Sequence, residues 1–133
     1  MTKTALVLLV EDDDDLRGLE AQLIAMAGYR VATAREGAEA LQRVAQEMPA
    51  VIMLDMKMPG MDGWAFAREF RARHNHHAPI VVVTAAQDAR KRAAEIAAED
   101  VLEKPFDVET FIRTVETHAG AGASGARHAA PPV

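Results

Sequence analysis

Glu11, Asp12, Asp55, Thr84 and Lys104 are the residues of this 133-residue chain whose types and placement support chemistry. Each stands where a short apolar run ends. Ala5 to Val10 meets Glu11-Asp12, Ala50-Val-Ile-Met-Leu meets Asp55, Ile80 to Val83 meets Thr84, and Val101-Leu102 precedes Glu103-Lys104-Pro105. Apolar runs bounded by turn signals read as strands buried on both faces of a parallel sheet. Open α/β sheets bind their ligands beyond the carboxyl ends of the strands, so these side chains are expected at one edge. Three carboxylates gathered there need a counter-charge, and a hard divalent cation such as Mg²⁺, which favours oxygen ligands, supplies it. A metal held in this way also neutralises phosphoryl oxygens during in-line transfer. Asp55, set apart at the centre, is the candidate nucleophile, because a carboxylate can accept a phosphoryl group as an acyl phosphate. Thr84 adds a hydroxyl donor and Lys104 a positive charge.

The elements that must position these groups alternate along the whole chain. Leu16, Leu19, Leu23, Ile24 and Ala27 fall at helical spacing before Gly28, and Asp13 to Asp15 suit the start of that helix as caps. Tyr29 to Ala34 reads as a second strand. Leu41, Val44, Ala45 and Met48 repeat at helical spacing before Pro49, and Asp62 precedes a helix carrying Trp64, Phe66 and Phe70. From Gln87 to Glu99 alanine and charge dominate, so that helix rests on propensity rather than on an apolar stripe. Val108, Phe111, Ile112 and Val115 mark the last helix. Five β-α units predict a doubly wound parallel sheet, and the length excludes a TIM barrel, which needs roughly 250 residues.

Composition bounds the rest. One domain is expected at this length, over residues 1–118, followed by a flexible Ala/Gly/Pro-rich tail over 119–133. Lysine and arginine number 15 against 20 acids, a net charge of −5, which argues against nonspecific nucleic-acid binding. The absence of cysteine excludes disulfides, thiolate catalysis and cysteine zinc sites. The first apolar run is too short for a signal sequence or a membrane span, so no membrane contact and a cytoplasmic location are expected.

In order and spacing, Val-Glu11-Asp12-Asp, Leu-Asp55-Met-Lys-Met-Pro-Gly-Met-Asp-Gly63, Val-Thr84-Ala and Lys104-Pro105-Phe match the signature blocks of one family. The chain resembles a receiver domain of the two-component response regulators over roughly residues 4 to 118, here of the stand-alone, chemotaxis or phosphorelay type. The resemblance implies a flavodoxin-like (βα)5 fold with strand order 2-1-3-4-5. It implies that Asp55 accepts a phosphoryl group from a sensor histidine kinase or a histidine phosphotransfer protein. Glu11, Asp12, Asp55 and the backbone carbonyl of Lys57 would hold Mg²⁺. Thr84, the amide of Ala85 and Lys104 would bind the phosphoryl oxygens. The output would be contact with a downstream protein target, or onward phosphotransfer, through the fourth helix, fifth strand and fifth helix. Such a protein catalyses only its own phosphorylation and dephosphorylation. The chain departs from the family at Val101, where an aromatic residue commonly swings inward, so a smaller or differently routed output change is expected. Lys57 and Ala86, two residues beyond Asp55 and Thr84, are expected to set the lifetime of the phosphoryl group.

Other features read more simply. His74-Asn-His76-His77 lacks an acidic partner and reads as a solvated loop, Arg90-Lys91-Arg92 as an exposed helix face, and Trp64 as packed. Pro105 suits a cis bond that turns Lys104 inward. Two alternatives stand beside the receiver reading. One is a receiver cut from a longer regulator. The other is a Mg²⁺-dependent phosphatase of the haloacid dehalogenase type, against which Lys57 stands where the general acid belongs.

Overall fold

The computed structural model describes residues 5–56, 58, 60–75 and 78–120, with the backbone alone at 86–88. The strands are β1 (Leu6–Val10), β2 (Arg30–Ala34), β3 (Val51–Asp55), β4 (Ile80–Ala85) and β5 (Asp100–Lys104). The helices between and after them are α1 (Asp14–Met26), α2 (Gly37–Gln46), α3 (Gly63–Arg73), α4 (Ala86–Glu95) and α5 (Val108–Val115). One five-stranded sheet has the order β2-β1-β3-β4-β5, and every pairing is parallel. The doubly wound fold and its strand order are therefore as expected.

The two-residue period of a strand sorts its side chains between two cores. Leu8, Val10, Ile52, Leu54, Ile80 and Val82 join Leu41, Val44, Phe66 and Phe70 on the α2–α3 side. Val7, Leu9, Val51, Met53, Val81, Val83 and Leu102 join Ile24, Phe111 and Val115 on the α1–α5 side. Each fully buried large side chain contributes roughly 1.5–3 kcal/mol by leaving water. Phe66 and Phe70 stack with ring centroids 5.5 Å apart, and Phe106 and Phe111 at 5.4 Å.

Capping follows the acids. Asp13 Oδ1 accepts from the amide of Leu16 at 2.8 Å, Asp62 Oδ1 from that of Ala65 at 3.0 Å, and Asp107 Oδ1 from that of Thr110 at 2.8 Å. Three boundaries differ from expectation. α4 stops at Glu95 rather than Glu99, because the amide of Glu99 donates to the carbonyl of Ile80 and Ala97 adopts φ 52°. Met48 lies beyond the end of α2 and is more than a third exposed. Past α5 the backbone widens into a π-helical turn over Glu116–Gly120, and Ala119, assigned to the tail, is fully buried in the α1–α5 core. Residues 121–133 of the expected tail lie outside the described residues.

Candidate functional site

The same strand period that sorts the core also places the charges. Glu11 continues the series Val7-Leu9, Asp55 the series Val51-Met53, and Lys104 follows Leu102, so all three fall on the α1–α5 side of the sheet edge. Glu11, Asp55 and Thr84 are buried, while Asp12 is exposed. One oxygen from each of Glu11, Asp12 and Asp55 lies within 4.8 Å of the others. A cleft of about 310 Å³ collects Glu11, Asp12, Asp13, Leu16, Asp55, Thr84, Ala85 and Lys104. The structure thus brings together the described residues that the sequence nominated. Lys57 and the side chain of Ala86 lie outside the described residues, as do His76 and His77.

Glu11 is held at both oxygens. Its Oε1 accepts from Lys104 Nζ at 3.4 Å and its Oε2 from the amide of Asp13 at 3.2 Å. The Lys104–Pro105 peptide is cis. Beyond β3, glycines let the loop close against the helices: the Gly63 amide donates to the carbonyl of Met56 at 3.1 Å, and the Gly37 amide to that of Met61 at 2.8 Å. The three-carboxylate donor set, all oxygen and balanced by one ammonium, fits a hard divalent cation such as Mg²⁺.

Two participants escaped the sequence reading. Arg17, one turn beyond the Asp13 cap, donates from Nη1 to the carbonyl of Glu11 at 2.9 Å and from Nη2 to Asp14 at 2.5 Å, which pins the loop after β1. Glu20 lies on the inner face of α1, only 2% exposed, and its Oε2 has no hydrogen-bond partner. Burial pushes its carboxyl up to about 7, with the charges of Glu11 and Asp55 adding to the rise and Lys104 opposing it. Its position was readable: it falls four residues after Leu16 and four before Ile24.

Away from the cleft, Trp64 is packed, as expected. Its Nε1 donates to Glu95 Oε1 at 2.8 Å, and the Arg92 guanidinium lies 4.8 Å from the ring centroid. Arg92 is therefore half-buried, unlike exposed Arg90 and Lys91. Val101 is half-buried on β5 and packs toward the α2–α3 core. Among the described residues no helix is long and apolar enough to cross a membrane.

Comparison with known proteins agrees with this geometry. The family model "Response regulator receiver domain" matches residues 7–116. The DNA-binding transcriptional regulator NtrC of Escherichia coli is 36% identical over 113 residues, which cover 84% of this chain and 24% of that protein. The probable transcriptional regulator ycf27 of Guillardia theta is 39% identical over 114 residues, 82% of this chain and 44% of that one. The chain thus spans less than half the length of these curated relatives. Among solved structures, a response regulator from Chloroflexus aurantiacus superposes with a TM-score of 0.79 at 31% identity, covering 89% of this chain and 99% of that one. The chemotaxis protein CheY4 of Vibrio cholerae gives 0.77 at 30% identity, covering 86% and 98%. With its sheet order, its acidic cluster and the family match all in accord, the chain belongs to the response regulator receiver domains of two-component systems.

Proposed function

We propose that this receiver accepts a phosphoryl group on Asp55 from a phosphohistidine of a sensor histidine kinase or phosphotransfer protein. The observation that carries this reading is the convergence of Asp55 with Glu11 and Asp12 in one cleft, beside Thr84 and Lys104. A carboxylate oxygen of Asp55 attacks phosphorus, the phosphorus–nitrogen bond breaks, and its electron pair leaves with the donor imidazole, which takes up a proton. The product is an acyl phosphate on Asp55. Glu11, Asp12 and Asp55 would hold Mg²⁺, and the bound ion supplies charge neutralisation for the phosphoryl oxygens. Thr84 donates its hydroxyl to one of those oxygens, the Ala85 amide serves another, and Lys104 exchanges its contact with Glu11 for a third.

A group carrying roughly −2 charge then draws Thr84 and Lys104 inward, and the loops after β4 and β5 follow. The surface of α4, β5 and α5 is the proposed output, read by a downstream protein or bypassed by onward transfer. Val101 lacks the reach of an aromatic ring, so the coupled change on this surface is small.

Incubation with acetyl phosphate and Mg²⁺, followed by intact mass, tests the reading. The wild type gains one phosphate and Asp55→Ala gains none; a wild type without adduct overturns it.

The coverage of NtrC and ycf27 favours a second reading, in which the same receiver serves as the input module of a longer regulator. The mass of the protein isolated from its source cells decides between them: 14.4 kDa supports a stand-alone receiver, and a larger chain supports the module.

A further inference from the structure

Lys104 and Leu16 form the wall shared by two clefts. On one side is the acceptor cleft with Glu11, Asp55 and Thr84. On the other is an apolar cleft of about 520 Å³ between α1 and the turn after β5, lined by Leu19, Leu23, Phe106 and Val108 together with Glu20 and Lys104. Glu20 is the acid on this second side. Its carboxyl is buried at a position where the helical spacing of Leu16 and Ile24 calls for an apolar residue, and one of its oxygens has no hydrogen-bond partner. A buried carboxyl oxygen left without a partner is costly, so a nearby cation is its natural complement. The charged groups acting on it are Glu11 just beyond β1, Asp55 from β3 and Lys104 from β5. Of these only Lys104 attracts it.

We propose that Glu20 is a positioning residue for Lys104, offering the ammonium a second carboxyl on the apolar side and drawing it away from the acceptor cleft. The ammonium is thereby divided between Glu11, which keeps it at the cleft, and Glu20, which withdraws it. The consequence for phosphorylation rests on the proposed acceptor role of Asp55, but the pairing itself does not. Removing the pull of Glu20 leaves Lys104 more available to the phosphoryl group and speeds uptake.

Lysine side-chain spectra of the metal-free, unphosphorylated protein at pH 8, where the Glu20 carboxyl carries its charge, read the pairing directly. The chain has four lysines, Lys3, Lys57, Lys91 and Lys104, and Lys104→Ala identifies the signal of interest. In Glu20→Gln that signal shifts while the other three hold still; an unmoved Lys104 signal overturns the inference. Uptake from acetyl phosphate then tests the consequence. Glu20→Gln is expected to take up phosphate roughly threefold to tenfold faster than wild type, and to have no such effect in a Lys104→Ala background. An equal acceleration in that background shows a charge effect that bypasses Lys104, and overturns the inference. Glu20→Leu, which suits its apolar neighbours, repeats both measurements in case the glutamine variant is unstable. If the wild type itself takes up no phosphate, the acceptor reading fails, and the lysine spectra still decide whether Glu20 positions Lys104.

Discussion

Lys104 Nζ lies 3.4 Å from Glu11 Oε1, joining the end of β5 to the end of β1 across 93 residues of sequence. No hydrogen bond of the sheet links these strands directly, since β3 and β4 stand between them. The pair therefore spans the acidic cleft from its two sides, with Asp55 on the strand at the middle.

Lys104→Met leaves the buried Glu11 charge without its cation and is expected to lower stability by roughly 1–3 kcal/mol in metal-free buffer. Mg²⁺ then faces no ammonium at Glu11. Urea midpoints measured with Mg²⁺ and with EDTA should show a larger metal-dependent rise in Lys104→Met than in wild type. Equal rises in both proteins would mean that Lys104 and the metal do not share Glu11.

Glu20 makes stability depend on pH. Its carboxyl is raised from the ordinary 4.5 to about 7, so between these values the folded protein binds more protons than the unfolded chain. Stability falls as pH rises through that window, and the loss is complete above about 7, on the order of 3 kcal/mol. Between pH 5 and pH 8 the urea midpoint of wild type should drop relative to that of Glu20→Gln. Parallel profiles would refute the assignment.

Gly63 permits the close approach of α3 to the loop after β3. A Cβ there would stand 2.6 Å from Met56 Sδ and 2.9 Å from Met56 Cα, and the backbone atom cannot yield as a side chain can. Gly63→Ala should therefore destabilise by roughly 1–3 kcal/mol, read from chemical denaturation, whereas Gly18→Ala on the open face of α1, with nothing within 4 Å, should not. A Gly63→Ala protein as stable as wild type would contradict the packing.

Ala97 sits at φ 52°, in the left-handed region that disfavours a side chain. Arg71 holds it there by donating from Nη2 to its carbonyl at 3.1 Å and from Nη1 to the carbonyl of Ile96. Ala97→Gly relieves the clash at some cost in chain entropy, and a gain of up to about 1 kcal/mol is expected from thermal or urea unfolding. A loss of stability would argue against the left-handed turn.

The parts of the fold that were legible rest on burial. β1, β3 and β4 are covered on both faces and so appear as uninterrupted apolar runs, and each run ends on the residue that reaches the cleft. The site was readable for that reason: a polar side chain at the end of a buried strand has one place to go. α4 was less legible, because it carries no apolar stripe and its end is set by the bonds of Glu99 and Arg71 to distant segments. Leu19 shows the opposite error. It fits the helical spacing of α1, yet it is 55% exposed along the rim of the apolar cleft. Glu20 was overlooked because a carboxylate on a helix is ordinarily assigned to solvent, although its distance from Leu16 and Ile24 placed it inside. Ala119 carries too little apolar surface to register in any pattern, so its burial under the π-helical turn is a tertiary fact.

Trp64 is the sole tryptophan of the chain, and its indole is gripped by two residues of one neighbouring helix, Glu95 at the nitrogen and Arg92 over the ring. The molecule therefore carries its own optical gauge. Emission from that single ring reports the spacing of α3 and α4 without any attached dye, and a sliding of α4 by even part of a turn would alter the indole's polar surroundings. Any change in the packing of α3 against α4 can in this way be followed in real time on unlabelled protein.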